Sequence, residues 1–285
     1  MACASAKAPS PEPVPLERAA ETAQSTSKTP AKAPAKGLRV EVDQTQFRVT
    51  LPDGHTLSQE EIVGMKLTVK DDAGASRKIR IDAFKQDPKD PSGEITLYDV
   101  SVQDPNSGEW GQFCNKGPDG LAAAFPLAGV WTPDGRHLPS TTQFNMTCTS
   151  GAIGKCVRFG YKPWKKGPNG APLWDHHVAC TRMVRGDYCG DGTAFTKDGM
   201  LINIHDPLGI QTLDPDPTLV FEAGWSESGA LCVHHVRVEE NTTLAALEAK
   251  CPERLAGHTG NACSKAAVMK DPALRLLNHS KPRGD

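Results

Sequence analysis

Between residues 38 and 112, apolar and polar positions alternate with the period of two that turns one face of a strand inward. Leu38-Arg-Val-Glu-Val, Phe47-Arg-Val-Thr-Leu, Met65-Lys-Leu-Thr-Val and Ile95-Thr-Leu-Tyr-Asp-Val-Ser-Val are the clearest runs, mostly bounded by Pro, Asp or Gly clusters. Pro52-Asp53-Gly54 and Asp104-Pro105-Asn106-Ser107-Gly108 are turn signatures directly after such runs. A small antiparallel sheet is the expected result.

The period lengthens further on. Ser150-Gly-Ala-Ile-Gly-Lys-Cys-Val-Arg-Phe-Gly160 predicts a short helix, with Ser150 as N-cap, Gly160 left-handed past its end and Pro163 following. Gly151 and Gly154 weaken that helix. From Leu173, apolar or semi-apolar residues fall at 173, 177, 180, 184 and 188, which is helical spacing, with Gly190 and Gly192 as the stop. Strands return at Met200-Leu-Ile-Asn-Ile, and Leu219-Val-Phe-Glu-Ala pairs with Ala230-Leu-Cys-Val-His-His-Val-Arg-Val across Ser226-Glu227-Ser228-Gly229 as a hairpin. From about Thr242 the pattern is helical, in TTLAALEAKCPERL, SKAAVMKD and PALRLLNHS. The expected class is α+β: an antiparallel β region over 38–112, then a disulfide-stapled α+β domain over 113–285 that ends in helices.

Residues 1–37 break both patterns. They are rich in Pro, Ala, Ser and Lys and carry too few large apolar side chains to offset the entropy of ordering, so a disordered tether is expected there. The formal net charge of -2 offers no basic excess for nucleic acid, and no apolar run approaches the ~18–20 residues of a membrane span.

Cysteine usage sharpens the picture. Eight cysteines stand at Cys114, Cys148, Cys156, Cys180, Cys189, Cys232, Cys251 and Cys263, none in the close Cys-x-x-Cys pairing usual for structural zinc. An even set at wide spacing implies about four disulfides and an extracytoplasmic location, periplasm or cell surface. Met1-Ala2-Cys3-Ala4-Ser5 resembles the end of a bacterial lipoprotein signal without its upstream apolar stretch. On that reading Cys3 carries the lipid, the sole expected membrane association; the alternative is an ordinary cysteine on a disordered tail.

A disulfide needs Cα atoms within about 7 Å. Nine residues of continuous helix place Cys180 and Cys189 about 13 Å apart. Two antiparallel helices with similar cysteine spacing predict nested staples, Cys156–Cys180 inside and Cys148–Cys189 outside, leaving Cys114–Cys232 and Cys251–Cys263. If both segments are strands, the local pairs 148–156 and 180–189 take over.

The stretches Cys148-Thr-Ser-Gly-Ala-Ile-Gly-Lys-Cys-Val-Arg-Phe-Gly-Tyr-Lys-Pro-Trp164, Ala179-Cys-Thr-Arg-Met-Val-Arg-Gly-Asp-Tyr-Cys-Gly-Asp-Gly192, Gly209-Ile-Gln211 and Phe221-Glu-Ala-Gly-Trp225 resemble the bacterial ADYC-domain proteins over roughly 95–240. The Ala-Asp-Tyr-Cys signature of that family is Gly186-Asp187-Tyr188-Cys189 in this chain, and the glycine favours a helix ending there with Cys189 in a turn. The resemblance implies an exported or lipoprotein-type bacterial protein and no particular activity.

Candidate chemistry is sparse. His176, His177, His234 and His235 are the metal suspects, because imidazole suits zinc, copper or nickel. Neighbours on a strand face opposite ways, however, and neighbours on a helix diverge by about 100°. Asp187, Asp191 and Asp198 lack the ligand alternation of an EF-hand loop. Arg182, Arg185 and Asp187 would suit an anionic ligand or a structural ion pair, and Trp164 would suit a binding surface or the core. No nucleophile elbow, zinc-protease helix, P-loop or dinucleotide fingerprint occurs. The expectation is a binding or structural domain for an envelope component or small ligand, with no cofactor. The alternative is an enzyme with a His/Arg/Asp site around residues 176–191, which requires those side chains to converge on one pocket.

Overall fold

A computed structural model describes residues 37–281 of the chain, apart from 72, 73 and 141. Cys3 and the expected tether, except Gly37, lie outside these residues.

The alternating runs form strands. β1 (Arg39–Asp43) and β2 (Gln46–Thr50) make an antiparallel hairpin. β3 (Lys66–Lys70), β4 (Ser76–Gln86), β5 (Thr96–Gln103), β6 (Trp110–Gln112) and β7 (Ala124–Ala128) follow. A two-stranded ribbon, β8 (Val130–Trp131) with β9 (His137–Leu138), precedes β10 (Phe144–Cys148). The first sheet is wholly antiparallel, ordered β10-β7-β5-β4-β3 with β6 beside β5, and so draws strands from both sides of residue 112. Ile79, Ile81 and Val100 share one face of it, and with Leu97 and Phe125 they are buried in the first core. Phe47 of the hairpin lies edge-on to Tyr98 and Phe144 at 5.3 and 5.4 Å between ring centres, and so closes this core.

α1 (Ala152–Arg158) and α2 (Trp174–Arg185) connect this sheet to a second one. α1 starts one residue later than expected: Gly151 is the N-cap, and the Ser150 hydroxyl instead donates to the Asn115 carbonyl. Gly154, unfavourable in a helix, is required by a close approach, since a Cβ there would stand 2.2 Å from the carbonyl oxygen of Cys148. α2 ends earlier than Gly190. Gly186 takes the left-handed conformation at φ 63°, and the Gly186 and Asp187 amides donate back to Met183 and Arg182, which closes the helix end.

The second sheet comprises β11 (Ile202–His205), β12 (Val220–Ser226), β13 (Gly229–Val233) and β14 (Leu276–Ser280), in the order β11-β14-β12-β13 and all antiparallel. Between β13 and β14 run α3 (Leu244–Lys250), α4 (Pro252–Leu255), a short 3-10 turn and α5 (Lys265–Val268). β14 corrects the expected terminal helix. Leu276 packs with α2 residues, while Leu277 joins Cys232, Cys263 and Val268 in a separate cluster. A short apolar run buried on both sides gives no periodicity to separate strand from helix. Among the described residues no helix is long and apolar enough to cross a membrane.

Four disulfides form: Cys114–Cys148, Cys156–Cys180, Cys189–Cys251 and Cys232–Cys263, with Cα separations of 5.4–5.7 Å. They stabilise the domain for an oxidising, extracytoplasmic compartment. Cys156–Cys180 joins α1 to α2 as expected, and the other three pairings are corrected. Cys148 ends β10, ahead of α1, where it faces Cys114. Cys189 lies beyond the Gly186 stop, so it is not a turn further along α2 and instead meets Cys251 at the end of α3. Cys156 and Cys180 are fully buried, whereas Cys189 and Cys251 are partly open to solvent. Under graded dithiothreitol, alkylation is therefore expected first at Cys189 and Cys251 and last at Cys156 and Cys180. A peptide map with the reverse order overturns that ranking.

Candidate functional site around the second helix

α2 is buried over most of its surface from His176 to Met183. A helix enclosed in this way must satisfy its polar side chains inside the protein. Each candidate residue on it has a different neighbour.

His177 is fully buried, and its Nε2 lies 3.1 Å from the Ile153 carbonyl of α1, which makes Nε2 the protonated nitrogen. Beside it, His137 is stacked between Trp131 and Trp174, at 3.5 and 3.7 Å between ring centres, with its Nε2 2.8 Å from the Ala128 carbonyl. Burial lowers the His177 pKa to about 4, and burial together with nearby His177 lowers that of His137 to about 2. Both rings are neutral at pH 7. His176, one position earlier, turns instead toward Tyr161. The Tyr161 hydroxyl donates to Asp206, which also accepts the backbone N–H groups of Leu208, Ile210 and Gln211. Gln211 in turn donates its side-chain amide to the Phe159 carbonyl.

Arg182 donates to Asp187 at 2.5 Å and to the carbonyls of Glu227 and Asp134. Asp187 also accepts the Gly190 and Gly192 amides, and its burial raises its pKa against the pull of Arg182. Arg185 donates to the Gly192 carbonyl. His176, His177, Arg182, Arg185 and Asp187 thus spread around the helix and do not converge on one cavity. Asp191 meets Lys250 at 2.7 Å, a cation supplied by the protein itself. Trp164 is partly buried against the first core.

The other two candidate histidines lie at the second sheet. His234 Nδ1 lies near the carbonyls of Gly260 and Cys263, and His235 lies between the Phe221 carbonyl and the Ser280 hydroxyl. No group of three or more His, Cys, Asp or Glu among the described residues is arranged to hold a metal ion.

Sequence reasoning missed a fully buried charged network. Glu222 on β12 and Arg237 after β13 are both fully buried, and Arg237 Nη2 meets Glu222 Oε1 at 2.7 Å. Tyr188 Oη and Asn278 Nδ2 also donate to this carboxylate, while Arg237 Nη1 donates to the Val184 carbonyl. Burial pushes the Glu222 pKa up, but Arg237 and the other donors outweigh it and hold the group below its ordinary value. A lone glutamate in the apolar run Leu219-Val-Phe-Glu-Ala was the available signal.

The four-residue signature now has a physical account. Gly186 ends the helix, Asp187 neutralises Arg182, Tyr188 reaches the buried Glu222, and Cys189 bonds to Cys251. Tyr188 and Cys189 tie the end of α2 to the second sheet and to the C-terminal helices, while Gly186 and Asp187 shape and neutralise that end. No curated protein and no solved structure matches the chain. The model of the family described as ADYC domain matches residues 59–239, well over half of the sequence, and the chain belongs to that family.

Proposed function

We propose that this protein is a non-enzymatic binding or structural domain of the cell envelope, held at a membrane by a lipid on Cys3, in the periplasm or as an outer-membrane lipoprotein. The observation that carries the reading is the use of the signature residues and of the α2 candidates as scaffold. An enzyme needs titratable groups gathered on one cleft, and here they have separate structural partners. Four disulfides suit a domain that must persist outside the reducing cytosol. The partner is an envelope component or a small ligand.

The test is the intact mass of the protein from its native host, before and after reduction and alkylation. No alkylation without reduction is expected, together with a diacylglycerol mass on Cys3. Eight free thiols would overturn the assignment, and an unmodified Cys3 would remove the lipid tether from it.

A further inference from the structure

A cleft of about 690 Å³ opens beside the Cys189–Cys251 bridge, walled by the disulfide and Leu231 and bordered by Lys250, Glu253 and Arg254. Its volume falls in the ordinary range for small-ligand sites. Charged groups of both signs crowd it, with Glu253 on its border among them. Arg182, Arg254 and Arg275 share this neighbourhood with Asp187 and Glu227. Arg182 is paired with Asp187, and Arg275 lies 3.2 Å from Glu227. Lys250 is bound to Asp191 at the rim.

Arg254 differs from the other enclosed arginines. Arg158 has Asp87 and Asp119, Arg182 has Asp187, and Arg237 has Glu222. The Arg254 side chain is also partly buried, yet among the described residues it makes no hydrogen bond or ion pair. Burial and then the neighbouring Arg182 hold its pKa below the ordinary arginine value, against the opposing pull of Asp187 and Glu227, which are near but not bonded to it.

We propose that this cleft binds a small molecule through an oxyanion, carboxylate or phosphate, with Arg254 as the principal contact and Lys250 as a second one at the rim. The planar guanidinium presents paired N–H donors that match either group. The apolar wall of Ala230, Leu231 and the disulfide accommodates the rest of the ligand. The inference rests on the binding-domain reading and supplies that reading with a ligand class and a place.

Inorganic phosphate and succinate are titrated separately, at constant ionic strength, into the oxidised full chain, and backbone amide shifts are followed by NMR. Saturable shifts are expected at Leu231, Cys251 and Glu253, with affinity weakened about ten-fold or more in Arg254→Gln and less in Lys250→Gln. The anion that binds more tightly identifies the class. Shifts that grow linearly with both anions, or an Arg254→Gln variant that titrates as the wild type does, overturn the proposal. Those results leave the thiol status and the scaffold reading untouched, so the two fail separately.

Discussion

Arg237→Met is expected to destabilise the domain by about 3–5 kcal/mol, because it leaves the Glu222 carboxylate buried without its counter-ion. At the usual scaling for a chain of this size, the melting temperature falls by roughly 6–20 °C. The methionine fills much of the space of the arginine stem, so the loss reports charge and hydrogen bonding more than volume. Glu222 lies on β12, Tyr188 follows α2, Asn278 lies on β14 and Arg237 follows β13. One substitution therefore disturbs the junction of four segments. Arg48→Met supplies the contrast: its partner Asp43 is as exposed as Arg48 itself, at 56% each, and such pairs contribute less than about 1 kcal/mol. Glu222→Gln combined with Arg237→Met should recover part of the loss, since no net charge remains buried. Urea unfolding of the three variants checks this, and a loss below about 1 kcal/mol for Arg237→Met alone sinks the account.

The contrast between Arg182 and Arg237 shows what was legible in the sequence. Arg182 and Asp187 lie five residues apart across a helix end, so their pairing was visible as an option before the fold was known. Glu222 and Arg237 meet only because β12 pairs with β13, and the network closes only when β14 returns between β11 and β12. The strands around Val49 and Leu67 were legible because each buries alternate residues and leaves those between them to solvent, and those around Val40 and Val100 show the same alternation in sequence without that burial pattern. β4 was not anticipated: Arg77, Lys78 and Arg80 mask the alternation that buries Ile79 and Ile81. Among the bridges, Cys156–Cys180 follows from two helices adjacent in the chain, whereas Cys189–Cys251 and Cys232–Cys263 depend on where the C-terminal segment returns. Arg254 carried no sequence signal, because its want of a partner exists only relative to Arg182, Asp187 and Glu227.

Mild acid is expected to unfold the domain, and His137 and His177 set the window. Their folded pKa values, about 2 and about 4, lie below the ordinary 6.5, so the native state refuses protons that the unfolded chain accepts. Their contribution is fully present above about pH 6.5 and is lost as pH falls toward the folded values. Each ring removes roughly 1.4 kcal/mol per pH unit across that interval, and the two together remove about 5 kcal/mol by pH 4.5. That is comparable with the whole stability of many domains. His176, His205, His235 and His279 are shifted in the same direction and add to the loss. Asp187, whose pKa is raised by burial, opposes it with a single group. The lowered carboxylates Asp90 and Asp191, both at about 2, matter only in stronger acid. His137→Phe keeps a ring between Trp131 and Trp174 but gives up the bond to the Ala128 carbonyl and the titration. It should be less stable than the wild type at pH 7.5 and lose less on acidification. Urea midpoints at pH 7.5, 6.0 and 5.0 measure the slope. Equal wild-type midpoints at all three, or an unchanged slope in His137→Phe, would show that these rings do not govern acid stability.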